Sequence, residues 1–405
     1  MIQTDQAARK QELASIIDGI VTAYENRTAS TPLLLRPVIS EAEISPVAAA
    51  IDALPEYQAV NGRPIYSGTG APVLTSELLA RKALGWAYGG VPQAIDLLFR
   101  VLSTETTKAI QRAAVWGVAV NEDVEILPGF RFVPFDNLPE TSFKEHIRNA
   151  AQELADGAVW WSRRQFALPG AVLVKEIDKF PYLINDDTAF NLVDEFRETA
   201  RVISRVIESS ILGTSLVTAY WMEYEDSSID LSRSENFFIW DFAEVAPWVG
   251  NNTAIEINRI AEQVAYFCRL EEAWRSHLSL ASERFRLSLC RHDLSNRALD
   301  LAISFEIALG RDGSGGAISW KATHRAAQMI GGSISERKEI RRKVKSLFDL
   351  RHKVAHGSIN IGKSSDALSV ITEATAVFVK LMGRYFRHGK EPDWDTIELE
   401  PTCRE

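Results

Sequence analysis

Near its C-terminal end the chain reads Leu350-Arg351-His352-Lys353-Val354-Ala355-His356-Gly357. An imidazole moves protons near neutral pH, and a guanidinium presents a fixed positive fork to a phosphate. Those two groups are what metal-free cleavage of an RNA phosphodiester requires, so Arg351, His352 and His356 are the first candidates for chemistry. Two plainer readings stand beside that one. A His near a helix C-terminus favours the negative end of the helix dipole without any catalysis. His352 and His356, four apart on one helical face, also have the spacing of two metal ligands. The position that would hold Glu in a zinc-binding HExxH helix is Lys353, and a cation there disfavours a divalent ion. No metal and no cofactor are expected.

A helix ending at Gly357 must position these groups. On a wheel its residues Ile340, Val344, Leu347 and Val354 make one apolar stripe, and Arg351 falls in the middle of it. An Arg on a core-facing seam is unfavourable unless it is paired or faces a polar cleft. An earlier helix shows the complementary feature: Leu299, Ala302 and Ile303 share a face, with Glu306 among them. One buried Glu306–Arg351 pair is therefore expected, with Arg325 as an alternative partner. The same pair would also serve if it did no more than fix helix register.

The net charge is −9, which speaks against indiscriminate coating of nucleic acid. The distribution is uneven. Residues 321–357 carry ten Lys or Arg against Glu336, Glu339 and Asp349, a local +7 that leaves −16 on the rest. A confined basic face on an acidic protein suits a localised anionic ligand, and Arg342, Lys345 and Lys353 are its candidate RNA contacts. A solvated helix face would look the same.

At 405 residues, two domains or one elaborated domain are expected. Thirteen of the fifteen prolines precede residue 250. The proline-free segment 251–388 reads as nearly continuous helix, so a junction is placed near Gly250-Asn251-Asn252-Thr253. The first part, 1–250, reads as α+β. Helices are expected at 5–26, 76–102 (broken at Gly89-Gly90 and Pro92) and 190–211. Strands are expected at 114–120 and 124–134, with strand pairs in 171–184 and 215–240, and residues 32–72 read as irregular. The second part, 251–405, reads as an antiparallel helical bundle with helices near 254–289, 295–309, 318–330, 333–357 and 365–388. The spacing Ser333-Ile334-Ser335-Glu336 is that of a capping box. No apolar run approaches a membrane span. The polar start lacks a signal pattern, and Cys268, Cys290 and Cys403 are too scattered for a disulfide framework. A cytoplasmic location without membrane contact is expected.

The Arg351–His356 segment resembles the hallmark of the HEPN superfamily, an Arg followed four to six residues later by His, with a polar residue (here His352) after the Arg. The surrounding text resembles the Apea-like branch: Arg297-Ala298-Leu299-Asp300 leading to Glu306, then Arg325-Ala326-Ala327, then Leu350-Arg351 through Ala355-His356-Gly357. The match covers about 255–390. The resemblance implies a helical bundle that dimerises, two copies of the Arg–His helix making one cleft. It also implies metal-independent RNA cleavage in phage-defence or toxin–antitoxin systems, though some members only bind RNA or act as scaffolds. In those terms His356 would be the general acid or base, Arg351 would stabilise the pentacoordinate phosphate and His352 would orient or bind the substrate. RNA, a second copy of the chain, and an antitoxin, phage trigger or regulatory partner are the partners it implies. Glu306 as a supporting residue comes from the seam reasoning alone.

Two other signals compete. Gly357-Ser-Ile-Asn-Ile-Gly362-Lys363-Ser364 matches the phosphate-loop pattern GxxxxGK[ST], but a charged helix precedes it where a buried strand is needed, and only 41 residues follow. Trp160-Trp161, Trp221, Trp240 and Trp248 could stack bases, but tryptophans in apolar context more often fill a core. No site is assigned to the first 250 residues.

Overall fold

The computed structural model describes residues 2–28, 39–66, 71–155, 168–231, 239–241, 253–310, 318–356 and 365–399. It is mostly helical, with an α+β region containing an antiparallel sheet toward the N-terminus and a helical region toward the C-terminus.

The chain begins with α1 (Ile2–Thr28), α2 (Glu41–Asp52), α3 (Pro55–Gln58), α4 (Ser76–Trp86) and α5 (Val91–Ser103). The helix α2 lies where an irregular, proline-punctuated stretch was expected. Glu43 Oε2 accepts from the Ser40 backbone N–H at 2.7 Å, closing the helix start, and Ile44, Val47, Ala48 and Ile51 bury one face although Pro46 sits inside the helix. Capping and burial outweigh one lost backbone bond. The expected break before α5 is present: Gly90 has φ +126° and Pro92 stands in the first turn.

Next come β1 (Thr106–Trp116), β2 (Val118–Ala119), β3 (Val124–Leu127), β4 (Phe130–Val133), α6 (Ser142–Ala155) and β5 (Ala171–Pro181). Then follow α7 (Thr188–Ile207), a π-helical turn (Glu208–Leu212), β6 (Val217–Tyr224), β7 (Ile239–Asp241) and β8 (Thr253–Ala254). The expected single strand 124–134 is a hairpin, with Val124 opposite Phe132 and Gly129 at φ +77° making the turn. The expected strand pair in 171–184 is one long strand. The main sheet runs β3-β4-β5-β1-β6-β7. Within it β4 pairs antiparallel with β5 (Phe132 opposite Leu173) and β6 with β7 (Ala219 opposite Trp240).

The helical region comprises α8 (Ile257–Cys268), α9 (Glu272–Cys290), α10 (Leu294–Leu309), α11 (Ile318–Ile330), α12 (Ile334–Ala355), α13 (Ser365–His388) and α14 (Trp394–Leu399). The single helix expected over 254–289 is two, α8 and α9. Leu270 is buried at the break and its N–H bonds back to the Phe267 carbonyl at 3.2 Å. No Gly or Pro marks the spot, which is why periodicity runs through it.

The chain forms two compact units that interleave in sequence. The first contains residues 1–111, 176–195 and 221–238, the second 112–175, 196–220 and 239–405. Parts of β1, β5 and β6 belong to each. The contiguous halves 1–250 and 251–405 expected from proline content therefore do not match the compact units; Gly250-Asn251-Asn252 lie outside the described residues and Thr253 opens β8. The first unit is built on Leu13, Ile17, Val47, Ile51, Leu98 and Tyr182. The second is built on Ile260, Phe285, Phe305, Leu347, Phe378 and Tyr385, with Phe285 and Phe378 stacked at 4.5 Å between ring centroids.

Candidate active site

The segment that carries the candidates is the end of α12. Its start is the expected capping box: Ser333 Oγ accepts from the Glu336 N–H at 3.3 Å, and the Glu336 carboxylate accepts from the Ser333 N–H at 2.7 Å. Val344, Leu347 and Phe348 are buried along one side. Backbone bonding persists to His356, whose N–H donates to the His352 carbonyl at 3.1 Å. Gly357 and the phosphate-loop-like segment through Ser364 lie outside the described residues, as do Trp160, Trp161 and Trp248.

Arg351 and Glu306 meet. Arg351 Nη2 is 3.4 Å from Glu306 Oε1, the two side chains being 38% and 24% exposed. The pair forms as expected, but it is not buried. The reason lies in α10, whose fully buried face is Ala298, Leu301, Ala302, Phe305, Ala308 and Leu309. Leu299, Ile303 and Glu306 flank that face and are only partly covered. An apolar stripe in sequence contained both the core and its edge.

Glu306 opens the last turn of α10, and that turn is held by three other helices. The Ile307 carbonyl is 2.6 Å from His277 Nε2 on α9, the Ala308 carbonyl accepts from Tyr385 Oη on α13 at 2.9 Å, and the Leu309 carbonyl accepts from Arg325 Nη1 on α11 at 2.7 Å. Three otherwise orphaned carbonyls are satisfied by side chains. Burial pushes the Tyr385 hydroxyl well above its usual range, so it stays a donor. Arg325 is itself buried, with its guanidinium 4.8 Å from the Trp394 ring centroid. It clamps the end of α10 through the Leu309 carbonyl, while the ion pair of Glu306 is with Arg351.

His352 and His356 also come together. Their ring centroids are 4.3 Å apart at 59°, and both residues are exposed. They do not share a direction with Arg351. At 3.6 residues per turn His356 lies about 140° around α12 from Arg351, so one copy of the helix offers the guanidinium and the imidazoles to different sides.

The basic candidates divide. Arg342 is occupied: it bonds to Glu339 at 2.7 Å and, across to α13, to Glu373 at 2.9 Å. Its hydrogen bonds hold the Glu339 carboxyl down to about 2 and raise its own guanidinium further. Lys345 and Lys353 are exposed and, among the described residues, form no salt bridge. Sequence reading passed over Lys338 and Arg341, which are exposed and unpaired in the same sense. Lys338, Arg341, Lys345, His352 and His356 fall within an arc of about 60° along about 27 Å of helix, with Asp349 just beyond its edge. The signal was present as i, i+3, i+7 spacing.

No protein-family model, curated protein or solved structure matches this chain.

Two further polar centres have no role assigned from sequence. Asp300 is buried and pairs with Arg291 at 3.1 Å and Arg284 at 3.5 Å, tying α10 to α9. Glu208 is buried in the π-helical turn, where its Oε1 accepts from the Leu216 N–H at 2.6 Å. Burial outweighs the attraction of Arg286 at 3.5 Å and pushes its carboxyl up to about 7. Among the described residues no three His, Cys, Asp or Glu side chains gather as metal ligands, and no helix is long and apolar enough to cross a membrane.

Proposed function

We propose that the protein is a metal-independent endoribonuclease of the HEPN type, acting in phage defence or as the toxin of a toxin–antitoxin pair. The observation that carries this reading is the end of α12: a guanidinium held at the helix seam by Glu306 yet open to solvent, followed within five residues by a contacting pair of exposed imidazoles. His356 takes the proton of a ribose 2′-hydroxyl as that oxygen attacks the adjacent phosphorus. The P–O5′ bond breaks, and O5′ leaves with a proton returned by an imidazolium of the site. Arg351 offsets the charge on the pentacoordinate phosphate, and His352 orients the strand. The products are a 2′,3′-cyclic phosphate and a 5′-hydroxyl.

Because Arg351 and His356 leave one helix about 140° apart, this reading brings in a second copy of the chain. In this reading two α12 ends face one cleft, Arg351 from one protomer serving the same phosphate as His356 from the other. RNA runs along the Lys338–Arg341–Lys345 stripe. The first unit senses a trigger, restrains the nuclease or positions the RNA.

A second reading is a non-catalytic RNA-binding or dimerisation scaffold. The Arg351–Glu306 contact favours it, because a guanidinium already paired within its own bundle is less available to a phosphate. Purified protein incubated with RNA in EDTA, followed by mapping of new 5′-hydroxyl ends, decides between them. Cleavage that His356→Ala abolishes, with fold and oligomer intact, is the expected result. Cleavage equal in the His356→Ala protein refutes the enzyme reading, and RNA binding without cleavage leaves the scaffold.

A further inference from the structure

The second unit holds a cavity of about 760 Å³ between α8, α13 and the π-helical turn after α7. That volume is in the range of small-molecule sites. Arg259 of α8 lines it together with Lys380, Arg384 and Arg387 of α13, the last three spaced to share one helical face. Glu256 and Glu262 line it too, and Glu262 is engaged by the Tyr266 hydroxyl at 2.9 Å. Arg387 Nε donates to the Gly383 carbonyl at 3.0 Å. Among the described residues Arg259, Lys380 and Arg384 form no salt bridge.

Exposed cations on a helix are ordinary. The floor of this cavity is not. Gln263 lines it, is only 6% exposed, and its buried Oε1 has no hydrogen-bond partner among the described residues. A buried carboxamide oxygen left without a donor is uncommon and calls for an explanation. Gly383 faces that oxygen: a Cβ there would stand 3.8 Å from Gln263 Oε1 and 3.5 Å from the Ser210 carbonyl oxygen. Ser210 belongs to the π-helical turn, a distortion frequent at functional sites. Hydrogen-bond acceptors at the floor and cations at the rim call for a ligand with N–H donors at one end and negative charge at the other.

We propose that this cavity binds a nucleoside phosphate, its base inward against Gln263 Oε1 and the Ser210 carbonyl, its phosphates outward on Arg259, Lys380, Arg384 and Arg387. The site is separate from the α12 end. Lys380 and Arg384 also line a hollow with Ser335 and Glu336 at the start of α12, roughly 30 Å of helix axis from His356. The proposal stands whether or not the chain cleaves RNA.

The phosphate could come from a free nucleotide or from the 5′ end of an RNA strand. Calorimetric titration of the full chain separates them, using ATP, GTP, CTP and UTP, the unphosphorylated nucleosides, inorganic pyrophosphate, and a short oligonucleotide with and without a 5′-phosphate. At least one phosphorylated nucleoside, free or at a strand end, is expected to bind saturably and more tightly than its unphosphorylated form. The exposed double variant Lys380→Glu, Arg384→Glu, checked for an unchanged melting temperature, is expected to weaken it about tenfold or more. Gln263→Leu is expected to weaken the nucleotide while sparing pyrophosphate. Absence of saturable binding by every probe, or binding indifferent to the charge reversal, overturns the proposal.

Discussion

Arg351 Nη2 stands 3.4 Å from Glu306 Oε1, joining α12 to α10 at an edge where both side chains keep contact with solvent. A pair at that depth is partly screened and contributes little to stability. Glu306→Gln is therefore expected to lower the unfolding free energy by less than about 1 kcal/mol, read by denaturant titration. A loss of several kcal/mol would mean the pair is sealed from water. On the nuclease reading the same variant frees Arg351, so any RNA affinity should rise or hold, not fall.

Tyr385 gives the opposite expectation from a fully buried position. Its hydroxyl satisfies the Ala308 carbonyl in the turn that begins with Glu306. Tyr385→Phe leaves that carbonyl buried without a donor and is expected to cost about 1–3 kcal/mol. Equilibrium unfolding of the variant checks this, and an unchanged midpoint would show that the carbonyl finds another donor.

Glu208 sets a pH dependence. Its folded carboxyl is raised to about 7 from an ordinary 4.5, so the folded state binds more protons than the unfolded state between those values. The sign follows: the contribution is favourable below the unfolded value and is lost as pH rises through 7. Glu208→Gln keeps an oxygen for the Leu216 N–H and removes the titration. The stability of the variant relative to the parent should therefore increase from pH 4.5 to 7, by a few kcal/mol at most. A difference flat in pH would place the Glu208 titration elsewhere.

Lys345 and Arg342, three residues apart on α12, should behave differently toward RNA. Among the described residues Lys345 forms no salt bridge on the Lys338–Arg341–His352–His356 side, whereas Arg342 is bound to Glu339 and Glu373. If RNA follows that stripe, Lys345→Ala should weaken binding and reduce the salt slope by about one. Arg342→Ala should change neither. Filter binding across a salt series tests both, and equal effects would remove the stripe as the path.

Much of the helical region was legible because its signals are local. Ser333 with Glu336 marks the start of α12, and the spacing of Val344, Leu347 and Phe348 orients it. The proximity of Arg351 to Glu306 followed from two charges in two apolar patterns. Other features were not legible for equally physical reasons. The split between α8 and α9 turns on Leu270, an apolar residue with no conformational signature. The helix α2 forms despite Pro46 because its capping and buried face outweigh one missing bond.

Residue type and period were enough to name the α12 end, its neighbouring acid and the basic bias of that segment. Depth was decided only in three dimensions. Whether Glu306 is core or edge depends on where α10 meets its neighbours, and whether Arg342 is available depends on Glu373, a residue 31 positions away. Gln263, Ser210 and Gly383 meet at one cavity floor only because α8, the π-helical turn and α13 are packed together, and no pattern within any one of them records that meeting.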